Sequence, residues 1–249
     1  MIEPSGVRSV KRALDILALL TEERPAISIR DVVDATGLPK TTAIRLVQTL
    51  EAHGLLWATA RGYQAGPGLW RWSHLARVTW EPPAEVRRLM EELAERGRET
   101  VNMYMVRDVH RVVVAQQEGP QQLRHVVRVG DELPLWSGAS SKVLLIGASP
   151  ERLERIAAES PEGLAHLPTL ERWAAEAAAA GWAVSHGERE TGLSAVAAPI
   201  RGRDGAAVGA LSLSGPTARF TDERVREFAV DVVKAAGEIS DRGASYLGA

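Results

Sequence analysis

The segment from Ser28 to Leu56 admits few folds, because two short amphipathic runs are separated only by a tight Gly37-Leu38 turn. In the first run Ile29, Val32 and Val33 recur at helical spacing, while Arg30, Asp31 and Asp34 fall on the opposite side. Thr36-Gly37 stops that helix, since glycine accepts the left-handed conformation common at helix ends, and Pro39 suits the first position of the next helix. Two helices must therefore sit close together and at an angle. That is the layout of a helix-turn-helix.

The second run turns Ala43, Ile44, Leu46, Val47 and Leu50 inward and leaves Lys40, Thr41, Thr42, Arg45, Gln48 and Thr49 outside. Arginine pairs with guanine O6 and N7, glutamine with adenine N6 and N7, and threonine reaches a base edge or a phosphate. Lys40 and the first-turn amides suit phosphate, which sets register without reading sequence. An ordinary amphipathic hairpin shows the same periodicity, so the flanks decide. Gly54 to Trp57 and Arg61 to Gln64 read as two short strands around a polar tip, a wing carrying Arg61. Ser9 to Leu20 reads as a leading helix with Val10, Ala13, Leu14, Leu17 and Leu20 at helical spacing. Residues 1–66 are expected to form a winged helix-turn-helix domain with double-stranded DNA as its partner.

Charge argues mildly against that partner. The 249 residues carry 30 basic and 32 acidic side chains, and the first 65 carry 8 against 7. The balance argues against nonspecific coating of nucleic acid, but a dimer presenting two recognition helices needs positive charge only at the contact. Cysteine is absent, which removes disulfides, thiolate zinc sites and cysteine nucleophiles. The histidines at 53, 74, 110, 125, 166 and 186 form no HExxH and no close pair, so neither a metal nor a cofactor is expected. Ser185-His186 before Glu188 and Glu190 invites a catalytic reading. Neighbours on an extended chain face opposite ways, however, and no G-x-S-x-G elbow, P-loop or GxGxxG is present. A pure scaffold would explain a long closing helix but not the polar face of Thr41, Thr42, Arg45 and Gln48. The N-terminus has no apolar signal-peptide core and no membrane-length apolar stretch follows, so a soluble cytoplasmic protein is expected.

Gly66-Pro67-Gly68 closes the first domain, and residues 67–83 read as a linker helix ending at Pro82-Pro83. Its Trp70, Trp72 and Trp80 suit either packing on the second domain or a dimer contact. Residues 84–249 read as α+β. A helix from Ala84 to Arg96 precedes strands over Val101 to Val106, Arg111 to Gln116 and Leu123 to Val129, with Asp108 in a turn. Helices over Ser140 to Ile146, Pro150 to Ala158 and Leu170 to Ala180 lead to strands Ser194 to Ile200 and Ala206 to Ser212. The latter two form a hairpin about Gly202 to Gly205, and a helix from Asp222 to about Ser240, capped by Thr221, closes the chain. A central antiparallel sheet of five or six strands with flanking helices resembles a GAF/PAS-like sensor fold with a small-molecule pocket.

Leu38 to Leu46, Gln48 to Glu51, Gly130 through Leu133-Pro134-Leu135, Ala139 through Lys142, Gly181-Trp182-Ala183, Glu188 to Gly192, Ala197 to Ile200 and Ser212 to Pro216 run in order along the chain. Together they resemble the IclR (isocitrate lyase regulator) family over residues 8 to about 242. The resemblance implies a transcription factor that forms dimers and often tetramers and binds pseudo-palindromic operators. It is read here as a repressor of a catabolic operon, with an activator as the alternative. A small organic acid that prefers one arrangement of the effector domains would change operator affinity.

The resemblance also places the effector pocket at His125, Leu133, Ala139, Ser140, Ser185, Ala195, Ser212 and Ser214. Backbone amides after Ser137-Gly138 are expected to bind a carboxylate there. The chain departs from the family pattern at Trp136, where histidine is common, at Ser140-Ser141, where a small or glycine pair is usual, and at Ser185, where a carboxylate is frequent. An indole gained and an acid lost near the cavity favour a less polar, aromatic acid over glyoxylate-like ligands.

Overall fold

Helix α1 (Arg8–Leu17), helix α2 (Ile29–Thr36) and helix α3 (Lys40–Ala52) close over one small core in the computed structural model, which describes residues 7–242. That core is Ile16, Ile27, Val32, Ala43, Val47, Leu50 and Leu56. Helix α1 turns a different face inward than its first apolar spacing suggests. Ile16 is buried with Ala13, Leu17 and Leu20 packed beside it, while Val10 and Leu14 are 56% and 59% exposed. Two apolar stripes overlap on this helix, and the core takes the one containing Ile16.

A reciprocal cap starts α2. The Ser28 hydroxyl accepts the Asp31 amide at 3.2 Å, and the Asp31 carboxylate accepts the Ser28 amide at 2.7 Å. The Ser28 amide first, then the Ser28 hydroxyl, which donates to the same carboxylate at 2.8 Å, hold the Asp31 carboxyl below its usual range. Gly37 stops the helix at φ 65°, a left-handed position open to glycine at little cost. Pro39 sits one residue before α3, as its N-cap with ψ 138°, rather than at the first helical position.

Strands β2 (Leu56–Thr59) and β3 (Gly62–Ala65) form the wing, and a two-residue strand β1 (Ala26–Ile27) pairs with β3 on its other side. Helix α4 (Gly68–Trp80) follows and has no buried residue. The chain divides into two units between Thr79 and Trp80.

The second unit is a six-stranded antiparallel sheet with helices on both faces. Helix α5 (Ala84–Gly97) leads into β4 (Thr100–Arg107), β5 (His110–Gln117) and β6 (Glu132–Pro134). Helices α6 (Ala139–Leu144), α7 (Pro150–Glu159) and α8 (Leu167–Ala180) precede β7 (Ala183–His186), β8 (Leu193–Arg201), β9 (Ala207–Pro216) and α9 (Asp222–Asp241). The strand order is β6-β5-β4-β9-β8-β7. Period-two alternation sends Val101, Met103, Leu211 and Leu213 toward Met90 of α5 and Phe228 of α9. Tyr104, Val113, Ala197 and Ala210 face Val143 of α6, Ile156 of α7 and Leu170 of α8.

The expected strand over Leu123 to Val129 does not form. At its start Arg219 donates to the Leu123 carbonyl at 3.0 Å, and at its end the Arg128 amide donates to the Asp131 carboxylate at 2.8 Å, while Arg124 donates to the preceding carbonyls of Gln121 and Gln122. The edge of β5 pairs with Glu132 to Pro134. The other unexpected strand, β7, is short and follows directly on the Gly181 helix stop.

Candidate DNA-reading face and effector pocket

Helix α3 presents Lys40, Thr41, Arg45, Gln48 and Thr49 to solvent and leaves Thr42 half-buried. Arg61 lies exposed at the wing tip, where the Thr59 hydroxyl donates to the Gly62 carbonyl at 2.8 Å and receives the Arg61 amide at 3.2 Å. Among the described residues Lys40, Arg45 and Arg61 make no ion pair, so their charges are available to a polyanion. Thr49 differs from its companions: its hydroxyl donates to the Arg45 carbonyl at 2.8 Å, leaving it only acceptor capacity toward a base. A groove of about 490 Å³ also brings Arg8, Lys11 and Arg12 of α1 alongside Thr36 to Pro39, the entry to α3. Lys11 is paired with Asp15 of the same groove at 3.1 Å, so Arg8 and Arg12 are what add positive charge at the helix-turn-helix although the domain as a whole is balanced. The sequence reading used Arg8, Lys11 and Arg12 only in the charge count; their spacing at 8, 11 and 12 on one helix face was the available signal.

A pocket opens on the α6 side of the sheet in the second unit. Register sets its floor: Ser185 pairs with Ala195 and Ala195 with Ser214, while Ser212 pairs with Asn102 two residues along. Ala139 and Ser140 of α6, His125 of the irregular loop, Tyr104 and Arg111 complete the wall, with Glu188, Arg189 and Glu190 from the loop after β7. The pocket thus gathers His125, Ala139, Ser140, Ser185, Ala195, Ser212 and Ser214. It does not include Leu133 or Trp136, which pack against the core between the sheet and α6 to α8. The Trp136 carbonyl is turned to His166 Nε2 at 3.1 Å. An aromatic preference argued from an indole at the cavity therefore loses its ground.

Missed by the sequence reading were Tyr104, Arg111, Glu188 and Arg189. Arg111 could have been found, because a cation at an inward position of the alternating strand Arg111, Val113, Ala115 needs a reason to be there. Its Nη1 donates to the carbonyls of Pro134 and Ser137 and to the Ser141 hydroxyl. No carboxylate among the described residues pairs with it, and its Nε is buried without a partner. Burial brings the Arg111 guanidinium down to about 10, and Arg189 adds repulsion.

Glu188 overturns the expected use of the α6 start. Its carboxylate accepts the Gly138 amide at 3.0 Å and the Lys142 ammonium at 2.5 Å, so the chain fills that anion position itself. Arg189 Nη2 reaches His125 Nε2 at 2.9 Å. Since arginine only donates, Nε2 accepts and the ring proton lies on Nδ1, which donates to Ser214 Oγ at 2.9 Å. Ser214 also accepts from Asn102 Nδ2 at 2.9 Å, and Asn102 in turn accepts from Gln116 at 2.9 Å. Burial first, then Arg189, pushes His125 down to about 4. Ser185 is buried and His186 exposed, so the two do not form a nucleophile and base; His186 Nδ1 meets Ser194 at 2.9 Å.

A winged helix-turn-helix unit followed by a sheet domain with a polar pocket defines a one-component transcriptional regulator. The comparisons with known proteins agree. The IclR helix-turn-helix domain matches residues 9–57 and the bacterial transcriptional regulator IclR C-terminal domain matches residues 83–241. An IclR-family protein of Rhodococcus sp. is 40% identical in sequence, with 99% of this chain and 98% of that one covered and a TM-score of 0.66. The transcriptional repressor AllR of Klebsiella pneumoniae is 28% identical over 94% of this chain and 93% of its own. An IclR homologue from Microbacterium hydrocarbonoxydans, solved with 4-hydroxybenzoate, shares the fold at 23% identity and a TM-score of 0.70, covering 92% of this chain and 99% of that one. The chain belongs to the IclR family of transcriptional regulators, not of enzymes.

Proposed function

We propose that this regulator binds a pseudo-palindromic operator as a homodimer or a pair of dimers, represses a catabolic operon, and changes operator affinity when a small organic acid enters the pocket of the second unit. The observation that carries the effector reading is the charge of the pocket wall. Lys142 is neutralised by Glu188, Arg189 meets only the exposed Glu190 at 3.3 Å, and Arg111 meets no carboxylate among the described residues. One positive charge is left over in a buried setting, and a monoanion offsets it. The Microbacterium homologue with 4-hydroxybenzoate keeps aromatic acids within the class, and the AllR relative supports repression.

Lys40, Thr41, Thr42, Arg45, Gln48, Thr49 and Arg61 form the proposed operator contact, with Arg45 and Gln48 reading bases and Lys40 and Arg61 holding phosphates. The apolar side chains left outside support dimerisation. Val7, Val10 and Leu14 line one side of α1, and Trp70 and Trp72 of α4 are 80% and 54% exposed. A fluorescence-anisotropy titration of DNA from upstream of the gene, with glyoxylate, lactate, mandelate, benzoate and 4-hydroxybenzoate added in turn, tests the proposal. Saturable, competitor-resistant binding that one of these acids shifts is expected. Binding no stronger than to competitor DNA would overturn the operator; binding indifferent to every acid would overturn the effector class.

A further inference from the structure

The pocket as it stands is narrow, with about 30 Å³ open to water, and Arg189 and His125, both in its lining, are bonded to each other. A ligand that engages both parts a donor from an acceptor, and it does so at least cost when it brings an acceptor for Arg189 and a donor for His125 Nε2. The two atoms lie 2.9 Å apart, so the ligand's complementary groups must be neighbours.

We propose that Arg189 and His125 together select a 2-hydroxy acid: Arg189 binds the carboxylate and His125 Nε2 accepts the hydrogen bond of the adjacent hydroxyl. This rests on reading the pocket as the effector site. The Gly138 amide and Lys142 are taken by Glu188, and Arg111, whose charge no carboxylate among the described residues offsets, is fixed in place through Nη1 by Pro134, Ser137 and Ser141, whereas Arg189 sits on the loop between β7 and β8, held among the described residues by His125 and Glu190. His125 has no freedom to reverse its role. Its Nδ1 proton is fixed on Ser214, whose oxygen also takes the Asn102 amide and whose own proton points to the Thr100 carbonyl at 3.5 Å. The chain Gln116, Asn102, Ser214, His125 thus keeps Nε2 an acceptor whether Arg189 or a ligand faces it. A simple carboxylate would engage Arg189 and leave Nε2 without a donor, the loss that makes a polar site reject an analogue lacking a hydroxyl.

Calorimetric titration of the full chain with mandelate and its deoxy analogue phenylacetate tests this, with lactate and propionate as a smaller pair. Mandelate is expected to bind at least about tenfold tighter than phenylacetate. Arg189→Gln should weaken both acids by about tenfold or more, with Arg189→Lys recovering part of the loss. His125→Leu should remove the preference for the hydroxyl, bringing mandelate and phenylacetate to within about threefold of each other. Ala195→Trp, or Ser185→Leu if the former does not fold, fills the pocket and should abolish all binding. Binding blocked by the filled pocket but unmoved by Arg189→Gln would overturn the role of Arg189 and leave the pocket standing. Equal affinity for the hydroxy and deoxy members of both pairs would overturn the 2-hydroxy selection. Acids that bind equally well to the filled pocket, or none that bind the wild-type chain, would overturn the pocket and this inference with it.

Discussion

His125 is neutral at physiological pH because its ring is buried against a guanidinium, and that has a measurable cost in acid. Its value falls from the ordinary 6.5 to about 4 on folding. Between those values the unfolded chain takes up a proton that the folded chain does not, so this contribution to stability is complete above about pH 6.5 and is lost as pH falls toward 4. Thermal melts should show a falling midpoint across that window, and His125→Gln should flatten the slope. An identical slope in the two proteins would contradict the assignment. On the DNA side, Arg45→Ala should cost about 1–3 kcal/mol of operator binding and relax the preference at one base pair. Lys40→Ala should instead weaken binding to all sequences and reduce the salt slope by about 1. An Arg45 variant with unchanged base preference would show that Arg45 holds phosphate. The outer face of α3 was legible because helical period alone decides which side chains face water. The commitment of the Thr49 hydroxyl to the Arg45 carbonyl, and of Glu188 to Gly138, was not, since both depend on where a rotamer or a distant loop lands.

Elements were legible where one period dominates and illegible where side chains replace backbone pairing. Helix α9 runs from Asp222 behind its Thr221 cap as its pattern requires, β4 and β5 follow their valine-rich runs, and β8 and β9 form about the Gly202 to Gly205 turn. Leu123 to Val129 has strand composition yet leaves Leu123, Val126 and Val129 exposed, and Glu132 to Pro134 takes the edge of β5 in its place. The Ser28 and Asp31 cap was in the sequence as S-x-x-D, but Asp31 was read only as a surface charge. Besides His125, Arg219 ties the irregular loop to the sheet domain: it binds the buried Glu99 carboxylate through two nitrogens and also holds the Leu123 carbonyl. Arg219→Ala should therefore destabilise the chain by about 3 kcal/mol in urea unfolding, because it strands a buried carboxylate. A loss below about 1 kcal/mol would mean that water reaches Glu99 and that the pair is of the surface kind.

At the scale of the whole molecule, the apolar side chains of α1 and α4 and the pocket charge belong to one proposed device. Two α3 helices must lie about 34–36 Å apart to enter successive major grooves, which takes a second copy of the chain, and Trp70 and Trp72 are its proposed contact. Replacing both tryptophans by serine should shift sedimentation equilibrium toward monomer and weaken operator binding together; an unchanged dimer would move the interface elsewhere. The pocket lies in the other unit, so its influence on DNA must appear as a coupling free energy shared by the two sites. The most direct test is to measure that coupling from both ends. Operator affinity is titrated with and without a saturating acid that binds the pocket, and the affinity of the same acid is titrated with and without operator DNA. Equal factors, well away from one, are expected in the two titrations. An acid whose affinity is the same on free and operator-bound protein would contradict it, however tightly that acid binds.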